Sequence, residues 1–168
     1  MPTSNLALAP TIIWLCHEVE HRTVLDVGPG HGKYALLFRE YLSVTPERID
    51  AVELHEPYVD GFDLRSLYDS VFVCDVLALS SGFLSSYDLV LMVDVIEHLE
   101  KEAAVDLLRR ISGRVIISTP VEFFSNGPGL PESETHRSHW TAQDFEATGR
   151  VEVCEERLGG IITRLAPI

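Results

Sequence analysis

The chain has 168 residues, 46% hydrophobic and 23% charged, with a formal net charge of −13 at pH 7. That length suits one domain with a core of its own, no run nears the ~18 apolar residues of a membrane span, and Met1 to Pro10 lacks the charged-then-apolar order of a secretory signal. So acidic a surface repels phosphate backbones and its basic residues are scattered, Arg109–Arg110 being the one adjacent pair, so nucleic acid is disfavoured and no membrane partner is expected.

Cys16, Cys74 and Cys154 lie far apart within apolar stretches and form no CxxC pair. They read as reduced and buried, which fits a cytoplasmic location. No repeat or linker divides the chain, so it reads as a single domain. Residues 1–21 form an N-terminal helical segment, 22–118 the core, 119–140 a long connection, and 141–168 a closing helix and β-hairpin.

The N-terminal helix places Ile12, Leu15, Cys16 and Val19 on one face at helical spacing. Thr23 to Val27 is a buried strand that stops at the glycine-rich turn Gly28-Pro-Gly-His-Gly32. A helix follows to about Leu42, carried by Tyr34, Leu37, Phe38 and Tyr41. Ile49 to Glu53 is strand-like, and residues 57–69 are weakly helical, with Gly61 against them. Val71 to Cys74 and Tyr87 to Val93 are the third and fourth strands. The helix Leu99 to Ile111 has Ala104, Leu107, Leu108 and Ile111 on one face, and Gly113 is placed to end it. Arg114 to Ser118 is a fifth strand. Thr141 is a helix N-cap with Asp144 at the box position. Val151 to Glu155 and Ile161 to Leu165, joined at Gly159-Gly160, read as a hairpin.

Five strands alternating with helices, then a hairpin, predict an α/β fold of the Rossmann-like kind. Its sheet would have seven strands, mostly parallel, with an antiparallel C-terminal strand and helices on both faces. Ligands of such sheets bind beyond the carboxyl ends of the strands. Those ends carry Asp26 with the loop Gly28, Pro29, Gly30 and Gly32, then Glu53, then Asp75. Glycines let backbone approach a ligand, and Glu53, some twenty residues on, can accept both hydroxyls of a ribose. A dinucleotide loop would read G-x-G-x-x-G beside a pyrophosphate; here the spacing is G-x-G-x-G, with Lys33 where the third glycine would stand. A nicotinamide-dependent oxidoreductase is therefore disfavoured.

Val24-Leu-Asp-Val-Gly-Pro-Gly-His-Gly-Lys-Tyr34, Val52-Glu53, Cys74-Asp75-Val76 and Tyr87 to Leu99 resemble the successive motifs of class I S-adenosylmethionine-dependent methyltransferases of the type 11/12 kind. The resemblance runs from about residue 22 to the end. It implies that Asp26, Gly28, Pro29, Gly30 and Gly32 line the methionine part of the cofactor and that Glu53 holds the ribose. It further implies Leu54 flanking the adenine, Asp75 and Val76 reading its edge, and Asp94 beside the transferable methyl. His31 departs from the small or apolar residue common between these glycines, and a side chain there can point outward.

Methyl transfer from a sulfonium is an in-line displacement that a general base assists when the nucleophile carries a proton. The candidate bases are His98, His136 and His139, with Asp94 and Tyr34 behind them, and Asp94, His98 and His139 are the residues selected for catalysis. The reading assigns no metal. Its alternative is that Asp94, Glu97 and His98 join His136 or His139 around a divalent ion. That arrangement resembles metal-dependent small-RNA 2′-O-methyltransferases, with Asp94 in place of the first glutamate. A non-catalytic S-adenosylmethionine-binding partner or sensor is the other alternative.

Thr119 to Trp140 is long enough to be functional and is read as the acceptor loop. Phe123, Phe124 and Trp140 would form a platform or anchor the loop, with Gly127, Gly129 and Pro131 between them, and Arg137 would hold an anionic group of the acceptor. A core with one capping helix points to a large acceptor (protein or glycan) or to a site completed by a second subunit, as in a homodimer. A small-molecule acceptor is the remaining class.

Overall fold

A computed structural model of the protein describes residues 4–42, 45–122 and 132–168. Its centre is a seven-stranded sheet of β1 (Thr23–Val27), β2 (Arg48–Glu53), β3 (Ser70–Val73), β4 (Leu89–Val93), β5 (Arg114–Pro120), β6 (Val151–Arg157) and β7 (Gly160–Leu165). The spatial order is β3-β2-β1-β4-β5-β7-β6. β1 to β5 run parallel, β7 lies antiparallel to β5, and β6 pairs antiparallel with β7. This is the mixed sheet expected from the alternation of patterns.

The helices are α1 (Ala9–His17), α2 (Lys33–Tyr41), α3 (Glu56–Gly61), α4 (Leu64–Leu67), α5 (Ser81–Leu84), α6 (Lys101–Arg110) and α7 (Ala142–Glu146). They cover both faces because strand side chains alternate. All five residues of β4 are buried. Leu89, Leu91 and Val93 pack with Ile12 and Leu15 of α1, Phe38 of α2 and Leu64 of α4, whereas Val90 and Met92 pack with Ala104, Leu107 and Leu108 of α6. A parallel sheet buried on both faces needs such continuous apolar strands.

Three local details differ from expectation. The weakly helical stretch is two short helices broken at Asp63, whose φ is +51°. The hairpin turn is Leu158–Gly159, with φ of +50° and +81°, one residue earlier than Gly159-Gly160. Two successive positive-φ residues match the twist of a two-residue hairpin. Gly160 sits in β7, where a Cβ would stand 2.7 Å from Leu8 Cδ1. Finally, Gly113 does not terminate α6 with a left-handed residue. Arg150 does that work, donating to the carbonyls of Leu108, Ile111 and Gly113, which would otherwise be left unpaired at the helix end.

Candidate functional site

At the carboxyl ends of β1, β2 and β4 lies a cavity of roughly 430 Å³ that Asp26, Glu53, Asp75, Asp94 and Glu97 all line. Asp26, the fourth residue of β1, is 2% exposed, and its Oδ2 accepts the Tyr68 hydroxyl at 2.6 Å. Burial pushes its carboxyl up to about 7, with Glu53 adding to the effect and Tyr68 and Lys33 opposing it. Glu53 ends β2, is 6% exposed, and accepts the His55 amide on Oε1 at 2.7 Å. Burial holds its carboxyl above the usual range, against the pull of His55. Asp75, exposed, follows β3 and caps a 3-10 turn by accepting the Leu77 amide on Oδ1 at 2.8 Å. Leu54 and Val76 line the same cavity.

Gly28, Pro29 and Gly30 form its wall, and both glycines have positive φ, +64° and +54°. Gly32 has another task. It is the left-handed residue that opens α2, and a Cβ there would meet Leu67 Cδ1 at 2.4 Å. His31 is exposed and stacks on Phe62 at 4.0 Å, pointing outward as expected.

Asp94 lines the same cavity with φ +54°, unusual for a residue with a Cβ. Its Oδ1 accepts Ser118 Oγ at 2.6 Å, and its Oδ2 accepts the Asn5 amide at 3.1 Å. The same N-terminal segment receives Lys33 Nζ on the Ser4 carbonyl at 2.9 Å. Ser4, Lys33, Tyr34, Tyr58 and Glu134 line the cavity as well; no pattern in the sequence marked Ser4, Tyr58 or Glu134.

Beyond Asp94, a 3-10 turn (Ile96–His98) presents Glu97, 2% exposed, with neither carboxylate oxygen in a hydrogen bond. Burial, then the charge of Asp94, pushes its carboxyl up to about 8. The neighbouring Thr119 hydroxyl pulls the other way without completing a hydrogen bond. His98 Nδ1 lies 3.2 Å from the Thr135 carbonyl, and the His98 and His136 rings meet edge to face at 4.9 Å. Ligand atoms of Glu97, His98 and His136 all lie within 4.8 Å of one another. A buried carboxylate without partners beside two imidazoles is a donor set that fits a divalent cation. Asp94 is outside this set.

The structure brings Asp94 and His98 together and leaves His139 out. His139 does not line the cavity; its Nε2 lies 2.8 Å from the Val121 carbonyl. The segment is extended, and exposure alternates along it: Ser138 and Trp140 are buried and His136 half-buried, while Arg137 and His139 are exposed. Positions an odd number apart face opposite ways, so His136 takes the place expected of His139. Trp140 is no platform: it is fully buried, stacked on Phe145 at 5.0 Å, and donates to Ser138 Oγ at 2.8 Å. Arg137 reaches the cavity but pairs with Glu132 at 3.2 Å. Phe123, Phe124, Gly127, Gly129 and Pro131 lie outside the described residues.

The strand order, the antiparallel seventh strand and a cleft at the parallel strand ends define the class I methyltransferase fold. The methyltransferase domain of bacterial CtHen1 superposes with a TM-score of 0.68 at 22% identity, over 96% of this chain and 100% of that one. The N-terminal domain of EvdMO1, solved with S-adenosylhomocysteine bound, gives 0.69 at 13% identity over 98% and 83%. A Rhodobacter sphaeroides chain named provisionally as a zinc-dependent alcohol dehydrogenase gives 0.70 at 12% identity over 98% and 92%. At such identities the likeness is one of fold. No protein-family model and no curated protein matches the sequence.

Proposed function

We propose that the protein binds S-adenosylmethionine in this cavity and transfers its methyl group to an oxygen or nitrogen atom of an acceptor. One observation carries the reading: Asp26, Glu53 and Asp75, from the ends of three neighbouring parallel strands, converge with two positive-φ glycines on a single cavity. A pyrophosphate would find carboxylates here; an adenosine bearing an amino acid and a sulfonium finds acceptors for its hydroxyls and amino groups.

In this reading Glu53 Oε2 accepts from the ribose, Asp75 Oδ2 accepts from the adenine amino group, and the exposed Leu54 flanks the ring with Val76. Asp26 and the backbone of Gly28 to Gly30 receive the amino-acid end. When bound, the cofactor supplies a methyl group already activated by positive sulfur, so the chain's task is alignment and exclusion of water. Asp94, fixed by Ser118 and Asn5, marks the boundary across which the nucleophile approaches. A carbonyl oxygen only accepts, so the Thr135 contact puts the His98 proton on Nδ1 and leaves Nε2 with the lone pair. His98 is then the base that takes the nucleophile's proton.

Calorimetric titration with S-adenosylhomocysteine tests the cofactor half. Wild type is expected to bind and Glu53→Ala to lose about tenfold or more in affinity, the scale of a hydrogen bond to a charged group. Equal affinities would overturn the role of Glu53, and no binding by wild type would overturn the whole. Labelled cofactor with cell extract tests the transfer; binding without label transfer would favour a non-catalytic partner.

A second reading is favoured by the convergence of Glu97, His98 and His136: a divalent ion held there would polarise an acceptor hydroxyl, and His98 would serve as ligand rather than base. An RNA acceptor is disfavoured in both readings, because nine of the 13 basic residues are already paired with carboxylates. Full transferase activity after EDTA dialysis would end this second reading; loss restored by added Mn²⁺ would establish it.

A further inference from the structure

The segment on the acceptor side of the cavity also reaches the adenosine side. From Thr135 to Ser138 it is fastened to the 3-10 turn Ile96–His98. His98 meets the Thr135 carbonyl, the amides of Arg137 and Ser138 both donate to the Glu97 carbonyl at 2.7 and 3.0 Å, and Ser138 Oγ donates to the Ile96 carbonyl at 3.3 Å. One residue before Thr135, Glu134 lines the cavity on which Glu53, Leu54 and Tyr58 stand. Its charge is felt at both Glu53 and Tyr58, where after burial it ranks among the causes holding each group above its usual range. Glu132 is nine-tenths exposed and paired with Arg137, and it does not line the cavity.

Two carboxylates around one small volume repel each other when nothing lies between them, and they are satisfied by a ligand that brings hydroxyl donors. A ribose brings two. We infer that Glu134 is a second carboxylate for the cofactor's ribose, contributed by the acceptor-side segment and sharing the two hydroxyls with Glu53. This rests on the proposed binding of S-adenosylmethionine.

Titration of the full chain with S-adenosylhomocysteine and with its 2′-deoxy and 3′-deoxy analogues tests the assignment. Glu134→Gln is expected to weaken S-adenosylhomocysteine about tenfold. Wild type is expected to discriminate against both deoxy analogues by about as much; one discrimination should vanish in Glu134→Gln while the other, held by Glu53, persists. Glu132→Gln, at a neighbouring exposed acid that does not line the cavity, should leave the affinity within twofold. If Glu134→Gln binds as wild type does while Glu53→Ala is weakened, the inference fails and the cofactor site stands. If wild type binds no S-adenosylhomocysteine, both fall together.

Discussion

Asp94 is where chain conformation and chemistry meet. A side-chain-bearing residue in the left-handed region costs on the order of 1 kcal/mol, and here the surroundings impose it. Its amide donates to the Ser118 carbonyl at 2.9 Å, and its two carboxylate oxygens accept from Ser118 and Asn5. So fixed, it borders the cavity, while the ligand atoms that lie within 4.8 Å of one another belong to Glu97, His98 and His136. The acids at strand ends were legible in the sequence because each closes or directly follows an apolar run. Glu134 was not, since nothing in a loop's composition says which of several acids faces inward. The choice between His136 and His139 was legible in principle: Trp140 had to be buried somewhere, and extended alternation from it selects 138 and 136.

At the scale of elements, the strands were read from their apolar runs to within a residue or two at most ends, whereas the reasons for particular turns were not visible. Gly113 illustrates this. Spacing suggested a helix stop; its actual role is close approach, because a Cβ there would lie 2.3 Å from the Tyr87 carbonyl oxygen and 3.0 Å from that of Asp88. Both contacts are backbone, which cannot swing aside, and Arg114 donates its amide to Asp88 in the same turn. Gly113→Ala must therefore shift the entry of β5 relative to the start of β4. The expected loss is about 1–3 kcal/mol, the usual range for overpacking, read by urea denaturation; a change below about 0.5 kcal/mol would mean the junction yields. The capping box of Thr141 and Asp144 was, by contrast, fully legible, because two residues three positions apart specify it and it needs no tertiary information.

For the whole molecule, the buried ionisable groups set how stability follows pH. The carboxyls of Asp26 and Glu97 rise to about 7 and about 8 from 3.8 and 4.5, and the His21 imidazole falls to about 4 from 6.5, in each case chiefly through burial. Stability changes with pH in proportion to the protons bound by the unfolded chain minus those bound by the native one. Between roughly pH 4.5 and 6.5 the native state holds protons on Asp26 and Glu97 that the unfolded chain has lost, while the unfolded chain holds one on His21. The balance is one proton in favour of the native state, so stability falls as pH rises. From about 6.5 to 7 His21 no longer offsets the two acids and the fall steepens; towards 8 only Glu97 contributes, and above that the slope flattens. The Tm of the ligand-free protein is therefore expected to decline from pH 5 to 8, most steeply just below 7. In the double variant Asp26→Asn, Glu97→Gln both of these carboxyl contributions are gone, and Tm should lose most of its decline between pH 6.5 and 8. A wild-type Tm that increases between pH 6.5 and 8 would mean that these two carboxyls are already ionised in the native state, and that the ligand-free cavity carries their charge throughout.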